Sequence, residues 1–258
     1  MEEDLLTRLH SDEFDGESCQ RLEYGINAQD SERLGLPCGG RMEVLAQPLT
    51  NADASWLAAI LTALIERQCI IRQLDLASGD TSVTPAERYR ELALESGQLS
   101  QCFGPHMRLL LVGAGQLAQS LAELALAMDY EVIVTDTRQD MLSQWDGAKV
   151  PLLQGMPDDI VREYANDRHS IVITLTHDPR IDDMALMEAL TTEAWYVGAL
   201  GSLRTTDKRL QRLRQLQLTE EQIGRLHAPV GLDIGSKTPN EIAISIMAEL
   251  TQLRRKGG

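Results

Sequence analysis

The chain has 258 residues, 43% of them hydrophobic, enough for one large or two modest domains with real cores. A formal charge of −15 and an aromatic content of 4% argue against nucleic acid or an anionic membrane as partners, since phosphate backbones attract basic faces and bases stack on rings. Four widely spaced cysteines without a C-x-x-C pair speak against a zinc knuckle or a disulfide framework; an acidic N-terminus unlike a secretion signal, and no apolar run long enough to span a bilayer, lead to the expectation of a cytoplasmic protein with reduced thiols.

Residues 1–34 are polar and read as helical or loose. Pro37-Cys38-Gly39-Gly40 combines a thiol with little side-chain cover, which suits a cysteine meeting a ligand, a metal or a sulfur donor, or a small buried residue beside a turn. Residues 41–49 alternate and read as a strand. Asn51 reads as the cap of a helix over 52–67 with Trp56, Leu57, Ile60, Leu61 and Leu64 on its inner face. Cys69–Leu76 reads as a strand and Ser78-Gly79-Asp80 as a hairpin turn. Residues 84–106, with Pro85, Gly97, Gly104 and Pro105, read as a boundary, giving an N-terminal α+β domain over 1–104 and a second domain over 105–258.

The strongest signal lies in residues 107–138. The apolar run Leu109–Val112 meets Gly113-Ala114-Gly115, an amphipathic helix follows, and the β-rich run 131–135 ends on Asp136. This is the order of a nucleotide-binding βαβ unit with the signature G-x-G-x-x-A, Ala118 being the third small residue. Gly113 allows the tight turn, and Gly115 lets a phosphate approach the main chain. The first amides of the helix, beginning at Gln116 and Leu117, attract anions. Asp136 suits a ribose diol, whereas Arg138 favours a phosphate in its place.

Strand and helix signals then alternate to the end. A third strand is expected over 149–153, a helix over 157–166 and a strand over 170–176. Asp178 with Pro179 opens a helix to Leu190. A strand over 195–200 runs into Gly201-Ser202 and a basic helix, 203–216, read as mostly solvated; short helix 219–226 follows. Thr238, Pro239 and Glu241 form a capping box for the last helix. The pattern implies an α/β fold, a Rossmann-like doubly wound parallel sheet with a smaller N-terminal α+β domain. In such sheets ligands sit beyond the carboxyl ends of the strands, where the glycine turn, Asp136–Arg138, His177-Asp178 and Gly201-Ser202 all fall. His177 suits acid–base work or an anion contact, and Arg204 an anion contact. The loop around Asp233, between Gly231 and Gly235, either touches a ligand or only places the last helix.

Several segments resemble the XdhC/CoxI family of accessory factors for xanthine-dehydrogenase-type molybdenum hydroxylases. They are LGLPCGGRMEVLAQPL (35–50), LLLVGAGQLAQSLAELA (109–125), VIVTDTR (132–138), THDPRIDDMALMEAL (176–190), YVGALGSLRTTDKR (196–209) and HAPVGLDIGSKTPNEIAISIMAEL (227–250). The resemblance implies a chaperone rather than an enzyme, which binds molybdenum cofactor as a mono- or dinucleotide, promotes its sulfuration with a cysteine desulfurase and delivers it to the hydroxylase. It implies that Cys38 and His177 face the chemistry, and that a homodimer forms, as symmetric pairs commonly do. The Gly-Gly-Cys-x-Glu motif usual in the family is missing, Cys19 standing in Glu17-Ser18-Cys19-Gln20, which implies a shortened N-terminal domain. From the residues alone, an NAD(P)-dependent oxidoreductase or a nucleotide-sensing module competes with this reading.

Overall fold

The structure is a computed structural model, described over residues 2–11, 19–25 and 41–256. It divides into two compact units, residues 1–104 and 105–258.

In the first unit, helix α1 (Glu2–His10) precedes an antiparallel pair, β1 (Gln20–Tyr24) and β2 (Met42–Ala46), braced by Arg21 to Glu43 at 2.6 Å and Arg41 to Glu23 at 2.6 Å. Helix α2 (Ala54–Ile65) follows a 3-10 turn. The cap of that turn is Thr50 and not Asn51: Thr50 Oγ1 accepts from Ala52 N (3.2 Å) and the Asp53 carboxylate accepts from Thr50 N (2.7 Å). The buried face of α2 is Trp56, Ile60 and Ala63, whereas Leu57 and Leu61 point to solvent. Strands β3 (Cys69–Asp75), β4 (Thr81–Ala86), β5 (Ala93–Glu95) and β6 (Gln98–Phe103) form an antiparallel sheet in the order β4-β3-β6-β5. The stretch read as a boundary is therefore largely sheet. Its punctuation serves hairpins: Ser96 and Gly97, with φ of 51° and 81°, turn β5 into β6, and Pro85 lies on the edge strand, where proline is tolerated.

The second unit alternates strand and helix: β7 (Arg108–Val112), α3 (Gln116–Ala127), β8 (Glu131–Asp136), α4 (Gln139–Ser143), β9 (Leu152–Gln154), α5 (Pro157–Tyr164), β10 (Ser170–Thr174), α6 (Pro179–Ala189), β11 (Tyr196–Ala199), α7 (Leu203–Gln215), α8 (Glu220–Ile223), β12 (Leu226–His227) and α9 (Pro239–Lys256). All six strands are parallel, in the order β9-β8-β7-β10-β11-β12. The chain thus runs outward from β7 to one edge and returns to β10 for the other half, which makes the β7–β10 junction the switch point of a doubly wound sheet.

The apolar run of β7 follows from cover on both faces. Leu109 and Leu111 pack with Ala118, Leu121, Ala122 and Ala125 of α3 and with Ala243, Ile246 and Leu250 of α9. Leu110 and Val112 pack on the other side with Val161 of α5, Leu186 of α6 and Leu213 of α7. The small residues of α3 let that helix lie close on the strands, and Ala118 is fully buried. The capping box of α9 forms as the sequence implies: Thr238 N donates to Glu241 Oε2 (2.9 Å) and Glu241 N to Thr238 Oγ1 (3.3 Å). Among the described residues no helix is long and apolar enough to cross a membrane.

Candidate functional site

One row of paired residues crosses the sheet at its carboxyl end. Val112 stands opposite Thr135 and Thr174, and Thr174 opposite Ala199. The glycine turn, Asp136–Arg138, the loop with His177 and Asp178, and Gly201-Ser202 all leave the sheet just beyond this row. Val230 N donates to Ala199 O (3.0 Å), which sets the loop carrying exposed Asp233 at the same end.

The two glycines of the turn do different work. Gly113 has φ of +111°, and a Cβ there would sit 3.0 Å from Thr176 Cγ2 and 3.2 Å from Thr176 N, so the fold itself requires glycine. Gly115 has φ −85° and ψ −177°, extended backbone open to any residue, and a Cβ there would meet nothing within 4 Å. Neither backbone strain nor packing accounts for a glycine at 115. It caps α3 without a side-chain oxygen, and so the amides that begin the helix at Gln116 and Leu117 have no side-chain cap. Ala114 is buried, and its N–H is turned to Asp136.

Asp136 is 4% exposed and sits in a dense set of donors. Its Oδ1 accepts from Arg138 N and Nε, and its Oδ2 from Ala114 N and Arg138 Nη2, each at 3.0 Å. Burial alone would raise this carboxyl, but the bonds from Arg138 and Ala114 N hold it below the usual carboxylate range. The Arg138 side chain remains 56% exposed.

Across the switch point, Asp178 caps α6 by accepting from Arg180 N (2.9 Å), and the Arg180 guanidinium pins it from outside at 2.7 Å. That fork lowers the Asp178 carboxyl to about 2. His177 is exposed. Beside β11, Ser202 caps α7 in a box with Thr205: Thr205 N donates to Ser202 Oγ (3.2 Å) and Ser202 N to Thr205 Oγ1 (2.7 Å). A Cβ on Gly201 would fall 2.6 Å from Thr205 Oγ1, so this glycine serves the close packing of the box. Arg204 is exposed on the first turn of α7. Cys38 lies outside the described residues.

The support beneath these loops is a buried ion pair. Arg209, assigned from sequence to a solvated face, is 5% exposed, and Asp182 is 2% exposed. Asp182 accepts from Thr176 Oγ1 (2.7 Å), Thr176 N (3.2 Å) and Arg209 Nη2 (2.9 Å), while Arg209 Nη1 donates to Leu200 O (3.1 Å). One pair thus ties the loop after β10 to the loop after β11. Burial pushes the Asp182 carboxyl up, against the pull of Thr176 and Arg209. Next to it, Arg212 grips Asp183 with both arms of its fork. A second polar knot holds the base of the Gly231 loop. Glu249 accepts from Tyr196 OH (2.9 Å), Gly231 N (2.5 Å) and His227 Nδ1 (2.9 Å), and Tyr196 stacks on His227 at 4.3 Å. Partners 22 and 53 residues from Glu249 leave no local signal, although His227 and Tyr196 both fall in the segments that carry the family resemblance.

The family model of the XdhC Rossmann domain matches residues 109–250, the whole span that builds this end of the sheet. The chain belongs to the XdhC family. It is 30% identical over 234 residues to the uncharacterized protein YqeB of Escherichia coli, covering 81% of this chain and 40% of that one. It is 28% identical over 219 residues to the molybdenum cofactor insertion chaperone PaoD of Escherichia coli, covering 85% of this chain and 61% of that protein. It is 31% identical over 153 residues to a probable xanthine dehydrogenase component of Bacillus subtilis, covering 59% of this chain and 44% of that protein. The chain therefore spans between 40% and 61% of the length of these relatives. A crystal structure described as a xanthine dehydrogenase from Bacillus halodurans superposes with a TM-score of 0.75 at 23% identity, covering 99% of this chain and 80% of that one, and so shares its fold.

Proposed function

We propose that this XdhC-family chain binds molybdenum cofactor by its phosphate-bearing end and passes it to a xanthine-dehydrogenase-type molybdenum hydroxylase. The observation that carries the reading is Gly115: a side chain there would be allowed by backbone and packing, yet the position is left bare beside the open start of α3. A phosphate against the main chain accounts for that choice. The residues present fit such a group. The amides at the start of α3 would hold phosphate oxygens, Arg138 adds guanidinium donors, and exposed His177 stands across the switch point. The bound cofactor would supply the molybdenum and dithiolene sulfur of the hydroxylase reaction; this chain's part is to grip, shelter and release. Similarity to PaoD, named an insertion chaperone, supports the role.

Protein expressed with a molybdopterin source and purified carries bound pterin, read as fluorescence after oxidative release. Background fluorescence from a folded sample overturns the proposal. The competing reading, an NAD(P)-dependent enzyme, is revived by micromolar NADH binding that vanishes in Asp136→Ala.

Sulfuration with a cysteine desulfurase is the finer part of the proposal and falls to Cys38. Cys38→Ser keeps normal pterin binding and loses transfer of sulfur to the cofactor, measured as activation of a hydroxylase reconstituted with the protein. Unchanged activation removes Cys38 from the chemistry.

A further inference from the structure

We propose that the groove between α5, α6 and the turn joining α7 to α8 is a second ligand site, which takes a small aliphatic amine. Asp158 receives the ammonium group, and Met184, Met187, Leu216 and Leu218 cover the stem. None of these residues belongs to the loops that carry the cofactor reading, and the inference stands without that reading.

The groove has a volume of about 390 Å³, within the range of roughly 300–1,000 Å³ that small-molecule sites occupy. Its floor follows from the spacing on α6. Met184 and Met187, three residues apart, share one side of the helix and line the groove, while Ala185, Leu186 and Ala189 turn into the core. Unbranched methionines adapt to a flexible stem. The facing wall is the turn after α7. Gln217 N donates to Arg214 O (3.1 Å) and Leu218 N to Leu213 O (3.3 Å), which ends the helix and sets Leu216 and Leu218 on either side of a residue with φ of 68°.

The sign of the ligand's charge is set by Asp158. Two acids line the groove. Glu188 is spent: Arg162 Nε and Nη2 donate to its two oxygens, each at 2.9 Å. Asp158, on the first turn of α5, has no cation beside it among the described residues, and its Oδ1 is shut away from solvent without a hydrogen-bond partner. A carboxylate that has lost water on one oxygen and gained no donor is under-stabilised. An ammonium group, all donor and no acceptor, compensates it from the groove.

The surroundings favour a small molecule over a protein. Ion pairs ring the groove: Arg162 also meets Asp159 at 3.0 Å, and Arg214 meets Glu220 at 2.7 Å. Apolar ground therefore stops at the rim, whereas a protein partner needs it to continue across a wider face.

The test titrates n-hexylammonium, hexan-1-ol and hexanoate against the full chain by ligand-detected NMR at neutral pH. Wild type binds the ammonium about tenfold more tightly than the alcohol, the worth of one charge-assisted contact, and the carboxylate more weakly than either. Raising the ionic strength shrinks the preference. Asp158→Asn brings ammonium and alcohol within about twofold of each other. Leu216→Ala, at a position 42% exposed and so safe for folding, weakens both by roughly threefold and keeps their ratio. Equal binding of ammonium and alcohol to wild type, no binding of either, or a preference that survives in Asp158→Asn overturns the proposal. Nα-acetyl-lysine amide carries the same ammonium on a stem crowded by its backbone, and binds more weakly than hexylammonium. Equal or tighter binding of it assigns the groove to a lysine of a partner protein and overturns the choice of a free amine.

Discussion

Gly115→Val abolishes retention of pterin and lowers the melting temperature by only a few degrees, the cost of losing a favoured helix cap, whereas Gly113→Val unfolds the protein at markedly lower temperature. The two positions are neighbours in one turn, and the contrast rests on what surrounds each. At 115 the backbone is extended, a conformation that β-branched residues favour, and the added carbons enter open space. Stability is therefore largely preserved, and only a group that must approach the main chain is shut out. At 113 a valine has to adopt φ of +111° with its Cβ 3.2 Å from the Thr176 amide. A side chain in that region costs on the order of 1–3 kcal/mol from the backbone alone, and the clash with Thr176 adds to it. Thermal melts and pterin fluorescence on the two variants, taken together, check the claim. Retained pterin in Gly115→Val, or normal stability in Gly113→Val, contradicts it.

Asp182→Ala destabilises the protein by up to roughly 3 kcal/mol, because the buried Arg209 guanidinium loses its nearer counter-charge and keeps only Asp183 Oδ1, 3.9 Å from its Nε. Chemical denaturation at neutral pH measures the loss. Replacing both partners by apolar residues, Asp182→Leu with Arg209→Met, recovers a large part of it, since no lone charge then stays inside. The double variant nevertheless binds pterin poorly. Thr176 and Leu200 lose the bonds that tether their loops, and the two sides of the switch point are no longer held at a fixed distance. Stability that returns without ligand retention separates the pair's role in spacing the loops from its role in holding the fold. Full recovery of both refutes the spacing role.

Much of the second unit is legible in the sequence because its signals are local. The apolar strands and the caps Asp178, Ser202 and Thr238 each lie within a few residues of what they control, and each forms as its local signal implies. What escapes the sequence is non-local or depends on a partner. Arg209 looks like any basic residue on a polar helix until Asp182, 27 residues earlier, is folded beneath it. Glu249 draws its partners from β11, β12 and the Gly231 loop. The strands of residues 93–103 are hidden by the proline and glycines that end hairpins as readily as they end domains. On α2, periodicity nominates Leu57 and Leu61, but packing selects Ala63, because the contact with Ile70, Val83 and Phe103 has room for a small residue. Spacing alone marks Asp136 as important, yet its partner stands only two residues away, and sequence does not say whether an arginine that close faces the acid or solvent.

The margins of the parallel sheet carry a practical consequence. Its outermost strands are β9, three residues long, and β12, two residues long. Each offers few free amides and carbonyls to a passing chain, and so neither rim templates further strands. The apolar middle layer of this sheet is thereby closed to strand addition from either side, where a longer, flatter rim would invite it.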